Sequence, residues 1–481
     1  MRISAPDKGR SASVVATARC HVYSIAIGNI PGELASLRVA PADPVLPRRL
    51  SIDRELARKY DDVRSRPVSD MNVRSITRLA SFLLLAVSAS VSAQQPIRIG
   101  EINSYSNIPQ FTTPYRQGWQ LAVDEVNAEG GLLGRKVEVI SRDDAGKPDD
   151  ALRHAAELIA SAKVDVLAGT FLSNIGLAVS DYAARQKKLF VASEPLTDAL
   201  VWDKGNRYTF RLRPSTYMQA AMLVEEAAKL PARRWVTIAP NYEYGQSAVA
   251  SFKALLKARR PDVEFVGEQW PALGKLEAGT TVQAVIADKP DAIFNVLFGA
   301  DLPRLVREGN LRGLFPKTPV VSLLSGEPEY LDALKDETPR PVAGGGWIVT
   351  GYPWDQIATP EHAKFFNAYY KRYGENPKLG SVVGYTSMIA IFEAIRKARS
   401  TDSEKLVVAM RGLKFVSPFG PVVFRAIDQQ ATMGAFVGKL DVRGEGAAAR
   451  GTMTGWRYVD GATVQPSDAY VRSRRPAAAM K

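Results

Sequence analysis

The chain has 481 residues, 46% of them hydrophobic and 23% charged, which is the make-up of a soluble globular protein too long for one ordinary core, so two or three domains are expected. Its formal charge of +13 would suit a nucleic-acid binder, but 14 Arg and Lys against 8 Asp and Glu precede Gln94, leaving 49 against 42 in the remainder. No basic run interleaved with aromatics stands out there, which argues against nucleic acid as a partner. The one cysteine, Cys20, lies in the leading segment, so the body of the chain has no disulfide, thiolate metal site or cysteine nucleophile. His154 and His362 fall far apart on helical patterns and read as solvated helix residues; no metal and no cofactor are expected.

Residues 1–70 carry scattered Pro and Arg without sustained periodicity and read as a non-native or disordered N-terminal extension. From Met71 the pattern is that of a secretory signal over residues 71–93. Arg74 and Arg78 form a basic start, Leu79 to Val87 an apolar run too short to span a bilayer, and Val91-Ser92-Ala93 a small-residue cleavage site. Mature protein is expected to begin at Gln94 in the periplasm. No cysteine follows to take a lipid, so neither an anchor nor membrane insertion is expected.

The body opens as strand, helix, strand, helix, strand. β-branched runs at Ile97 to Ile99, Val137 to Ile140 and Val164 to Leu167 alternate with segments whose apolar residues recur at helical spacing. Gly130-Gly131 supplies a left-handed helix stop, and Pro148 followed by Asp149 and Asp150 supplies a helix start. A helix at Ile175 to Gln186 and a strand at Leu189 to Ala192 continue the series. Tyr208 to Ser215 reads as a crossover to a second α/β series, with strands at Trp235 to Ala239, Val263 to Val266, Ala292 to Leu297 and Val320 to Leu323. Gly344 to Trp354 reads as the return crossover, followed by helices at Pro360 to Tyr373 and Ser381 to Ala398 and a terminal hairpin. Residues 466–481 read as a flexible tail. The expected fold is α/β: two doubly wound lobes joined by three crossovers, with residues 94–213 and 350–435 in lobe 1 and residues 214–349 and 436–465 in lobe 2.

The run GWQLAVDEVNAEGGLLGRKVEVISRDDAGKPDDALRHAAELI, coupled to VDVLAGTFLSNIGLAVSDYA and a later NYEYG, resembles the periplasmic solute-binding proteins of the branched-chain amino acid and amide type that feed ABC importers. The resemblance covers nearly everything after the first ninety-odd residues. It implies a clamshell that takes a small-molecule ligand between its lobes and hands it to an inner-membrane permease, as a monomer and without catalysis.

Ligands of open α/β sheets sit beyond the carboxyl ends of the strands. On that rule the candidates in lobe 1 are Glu101 and Tyr105 after the first strand, with Phe111 brought near by the resemblance, Thr170, Ser173 and Asn174 after the third, and Glu194 and Leu196 after the fourth. In lobe 2 they are Tyr244, Phe298 and Glu327, with Tyr352 and Trp354 brought near by the resemblance. Ser173 or Asn174 could cap its helix or, as the family's serine-rich turn implies, hold an acceptor group of the ligand. The aromatics could be ligand walls or plain packing between lobes.

Glu194-Pro195-Leu196 departs from the small residue and threonine of amino-acid binders, which points away from an ordinary aliphatic amino acid. Two other classes stay open. Glu101, Glu194 and Asp301 could serve as acids of a hydrolase or epimerase, although no nucleotide loop, Gly-x-Ser-x-Gly elbow or histidine cluster accompanies them. A ligand sensor on the same fold is the third.

Overall fold

A computed structural model describes residues 95–342 and 345–480. The extension, the signal segment with its cleavage site, and Gly344 of the return crossover lie outside the described residues.

The first sheet has five parallel strands: β1 (Ile97–Asn103), β2 (Val137–Asp143), β3 (Val166–Gly169), β4 (Phe190–Ala192) and β5 (Thr209–Arg211), in the order β2-β1-β3-β4-β5. The order reverses at β1 and β3, so the sheet is doubly wound. The punctuation behaves as its chemistry dictates. Pro148 opens the helix Pro148–Ala160 with Asp149 and Asp150 in its first turn, and Gly130 and Gly131 take φ of 102° and 86° after the helix Pro109–Ala128.

The second sheet adds β6 (Arg234–Ile238), β7 (Glu264–Gln269), β8 (Ala292–Asn295), β9 (Val320–Gly326), β10 (Trp347–Gly351), β13 (Ala435–Arg443) and β14 (Arg450–Val459). Its order is β14-β13-β10-β9-β8-β6-β7, parallel except for the final hairpin, while β11 (Lys414–Ser417) and β12 (Gly420–Val423) pair separately. Two details differ from the sequence reading. β5 forms the edge of the first sheet inside the expected crossover, and β10 is a buried strand of the second sheet where a return crossover was expected.

The return to the first lobe is made by the helices Pro360–Tyr373 and Leu379–Ala398. The second is long and apolar enough to cross a membrane, yet 78% of its most apolar window is buried inside the protein. It lies directly on the helix Pro109–Ala128, because a Cβ on Gly118 would sit 1.9 Å from the Ser381 carbonyl oxygen and one on Gly384 would sit 2.0 Å from that of Tyr115. Glycine at both positions sets the backbone approach, making this helix a core element of lobe 1.

The tail is not free. Ser467 caps a helix at Asp468–Arg474, Arg474 pairs with Asp203 at 2.6 Å, and Tyr470 meets Trp202 and Tyr217 at 5.3 and 5.9 Å. Arg475 is buried, donating to the carbonyls of Val201, Asp428 and Asn206 and to the Gln429 side chain. The guanidinium thereby satisfies backbone acceptors of the segment between β4 and β5 and of the turn at Asp428, and this overrides a composition that reads as frayed.

Candidate ligand cleft

Loops from the carboxyl ends of β3, β4, β5, β6, β8 and β9 converge on one cavity. Non-glycine residues take the left-handed region at two of these strand ends, Thr170 at φ 61° just past β3 and Leu324 at φ 68° in the last residues of β9. Such conformations persist only where surrounding contacts hold them.

The walls are aromatic and come from both lobes. Phe171, behind which Phe111 packs at 5.0 Å, lies 6.0 Å from Phe298, and Phe298 meets Tyr244 edge-on at 5.7 Å and Tyr242 at 6.4 Å. Leu196, Leu324 and Tyr330 complete the lining. The cavity volume is about 20 Å³, enough for a water and too small for an organic solute. A solute must therefore part the walls to enter.

Charge is concentrated on one side. Arg213, just past β5, donates through one guanidinium nitrogen to Glu194 Oε2 at 3.0 Å and through the other to Glu327 Oε1 at 2.6 Å. The two carboxylates follow β4 of the first sheet and β9 of the second, so Arg213 ties one lobe to the other. Its side chain is 6% exposed and theirs 1%. Burial pushes Glu194 up to about 7 and Glu327 up to about 8 against the pull of Arg213. Burial opposes the charge on Arg213, but the two carboxylates outweigh it and raise its pKa. Glu194 Oε1, Glu327 Oε2 and the hydroxyls of Tyr244 and Tyr330 are buried without a protein partner.

Ser173 has a role different from the expected cap. Leu172 is the N-cap of the helix Ser173–Arg185, and Ser173 Oγ accepts the N–H groups of Leu196 and Thr197, each at 3.2 Å. This stitches the loop after β3 to the loop after β4 and leaves the hydroxyl proton available. Next to it, Thr197 Oγ1 donates to Glu243 at 2.5 Å, and Asp198 accepts from Ser251 Oγ at 2.7 Å and from the Tyr217 N–H at 2.9 Å, so the lobes also meet through polar groups.

Of the residues singled out from sequence, Ser173, Glu194, Leu196, Tyr244 and Phe298 line the cavity, while Phe111 and Glu327 touch residues that do. The others are placed elsewhere. Asn174 is exposed because the helix turns it outward. Thr170 is buried behind the lining. Glu101 sits in the lobe 1 core, accepting from Ser141 Oγ at 2.6 Å and from the Tyr105 hydroxyl at 2.9 Å, and Tyr105 is itself covered by Trp119 and Arg116.

Tyr352 pairs with His362 Nε2 at 2.6 Å, and Trp354 stacks on Phe366; both border a different depression, beside Arg450. His362 is thus buried rather than solvated, and burial pushes its pKa down to about 4. Sequence reasoning missed Phe171, Tyr242, Tyr330, Leu324 and above all Arg213. The available signal was a pair of cations, Arg211 and Arg213, set among Phe210, Leu212 and Pro214 in the first crossover.

The two sheets and the cleft between their strand ends define a two-lobed binding protein. The chain belongs to the periplasmic binding protein family, whose sequence profile matches residues 96–448. It is 25% identical over 350 residues to the Leu/Ile/Val-binding protein homolog 7 of Brucella suis biovar 1, covering 70% of this chain and 86% of that protein.

Among solved structures, it resembles a solute-binding protein of an ABC transporter from Rhodopseudomonas palustris BisB5 in complex with 3,4-dihydroxy benzoic acid. The TM-score is 0.67 and the identity 22%, over 76% of this chain and 98% of that one. It also resembles a branched-chain amino acid transporter substrate-binding protein of Streptococcus pneumoniae in complex with isoleucine. Here the TM-score is 0.64 and the identity 20%, over 74% and 99%. These two structures share the fold.

Proposed function

We propose that the mature chain begins at Gln94 and works in the periplasm as a monomeric, non-catalytic carrier. It captures a small organic solute between its lobes and delivers it to an inner-membrane ABC permease. The observation that carries this reading is the convergence of aromatic walls from both lobes on one cavity, joined by an ion pair that crosses between them. A solute held there contacts both walls only when the lobes are closed, so binding favours closure.

The ligand we propose has an aromatic or extended apolar body against Phe171, Tyr244 and Phe298 and an acceptor group reached by the Ser173 hydroxyl. Relatives of the same fold hold isoleucine in one case and 3,4-dihydroxy benzoic acid in another; the departure at Glu194 and Leu196 and the aromatic lining favour the second kind.

A thermal-shift panel of amino acids, amides and aromatic acids tests the reading. A true ligand at a hundred times its Kd should stabilise the protein by about 2.7 kcal/mol, and it should be recovered unchanged. Turnover of a hit would overturn the carrier reading, and tight binding of leucine or valine would overturn the ligand class.

A further inference from the structure

We infer that Arg213 fills the cation position of the cleft from within the chain, and that the solute captured there carries no ammonium group: it is a neutral or acidic molecule. The inference deepens the solute-capture reading and rests on it.

The two carboxylates that could receive a cationic ligand are Glu194 from the first lobe and Glu327 from the second. Each already gives one oxygen to the same guanidinium, at 3.0 and 2.6 Å, in a site where all three side chains are almost wholly buried. Arg213 is also held in place. The following Pro214 confines its backbone to extended conformations, and the ring of Phe111 lies 5.6 Å from its guanidinium carbon. An incoming ammonium would meet a fixed like charge in a buried site that screens it poorly.

The oxygens left over, Glu194 Oε1 and Glu327 Oε2, do not require a cation either. Burial holds the pair at about 7 and about 8, so near neutral pH it retains a proton and the triad is close to neutral. A protonated carboxyl donates to an acceptor on the ligand. The third buried carboxylate nearby, Glu329, accepts the Gly380 N–H through Oε1 at 2.8 Å, and although its Oε2 has no protein partner it does not line the cavity.

The test has two arms. In the first, the wild-type protein is titrated by calorimetry with pairs in which only the second member carries an ammonium group: phenylacetate against phenethylamine, where ammonium replaces the carboxylate, and 3-phenylpropionate against phenylalanine, where it is added. Wherever a pair binds, the acid should be favoured at least about tenfold; an amine or amino acid binding as tightly as its partner overturns the inference. In the second arm, Arg213→Ala leaves the two carboxylates facing each other without their cation. Millimolar guanidinium or benzylammonium should then raise its melting temperature while leaving that of the wild type unmoved, and Arg213→Ala combined with Glu194→Gln should lose much of the gain.

A folded Arg213→Ala variant that gains nothing from either cation overturns the inference. Should the alanine variant not fold, Arg213→Met, which keeps the packing of the stem, is read in the same way. The second arm needs no knowledge of the natural solute. A wild type that binds nothing from a broad panel would therefore count against solute capture, and the cation rescue would still decide the role of Arg213.

Discussion

Two buried acidic clusters in this protein are built from the same kind of residue and do different work. Glu101 lies in β1, opposite Ser141 of β2 in the strand register, and it is held by two hydroxyls that belong to its own lobe. Glu194 and Glu327 come from different sheets and are held by one guanidinium. Burial raises Glu101 and Glu327 alike, each to about 8. What separates the clusters is whether the partners move together. If the lobes hinge as proposed, the contacts of the Glu101 cluster stay within one lobe, whereas the Arg213–Glu327 bond must break when the lobes part. Burial of a carboxylate thus marks neither a structural nor a functional role; the placement of its partners across a moving boundary does.

The largest effect should come from breaking the cleft cluster at its centre. Arg213→Met leaves two buried carboxylates without a cation, and loss of one partner of a buried ion pair typically costs about 3–5 kcal/mol. Denaturant unfolding at pH 7 measures this, and a loss below about 1 kcal/mol would mean that the triad is solvated in solution. Glu101→Gln should behave differently, through pH. The native carboxyl at about 8 holds its proton where the unfolded one, near its ordinary value of 4.5, has lost it. The native state therefore binds more protons between those values, and the contribution of Glu101 to stability falls as pH rises through the window. Between pH 5 and 8 that fall amounts to about 3 kcal/mol at about 1.4 kcal/mol per pH unit, less the rounding at each end. The Gln variant should lack it, which paired unfolding curves at the two pH values would show.

The two clusters also differ in how far the sequence discloses them. The doubly wound lobes were readable because β-branched runs and helical periodicity repeat along the chain, and because Pro148-Asp149-Asp150 and Gly130-Gly131 are local signals whose chemistry needs no distant partner. β10 was not, since Trp347 to Gly351 is a short glycine-flanked run whose strand identity comes from pairing with β9 and β13. The ion triad depends on a bond between residues 114 positions apart, and the buried Arg475 on carbonyls as far away as Val201. His362 read as solvated because a helix start is usually exposed; here Tyr352 and the aromatic cluster around it cover the ring. In each case the missing information was a long-range contact, strand pairing for β10 and burial of a polar group for the other three, which composition and periodicity do not carry.

The smallest effect expected is the most direct check on where the cleft ends. Ser173 and Asn174 are neighbours in the first helical turn after β3, and the sequence reading treated them as interchangeable. The structure separates them: Ser173 is buried and accepts two backbone N–H groups, whereas Asn174 faces solvent. Asn174→Ala should change stability by no more than about 0.5 kcal/mol, as an exposed substitution away from special contacts does, and should leave the affinity for any captured solute within about twofold. Ser173→Ala leaves the Leu196 and Thr197 N–H groups without their acceptor, which costs about 1–3 kcal/mol for buried donors, and it removes the hydroxyl proposed to meet the ligand. Calorimetry and unfolding on the two variants side by side decide the point. If Asn174→Ala weakens binding as much as Ser173→Ala does, the solute extends beyond the aromatic walls onto the outer face of the helix.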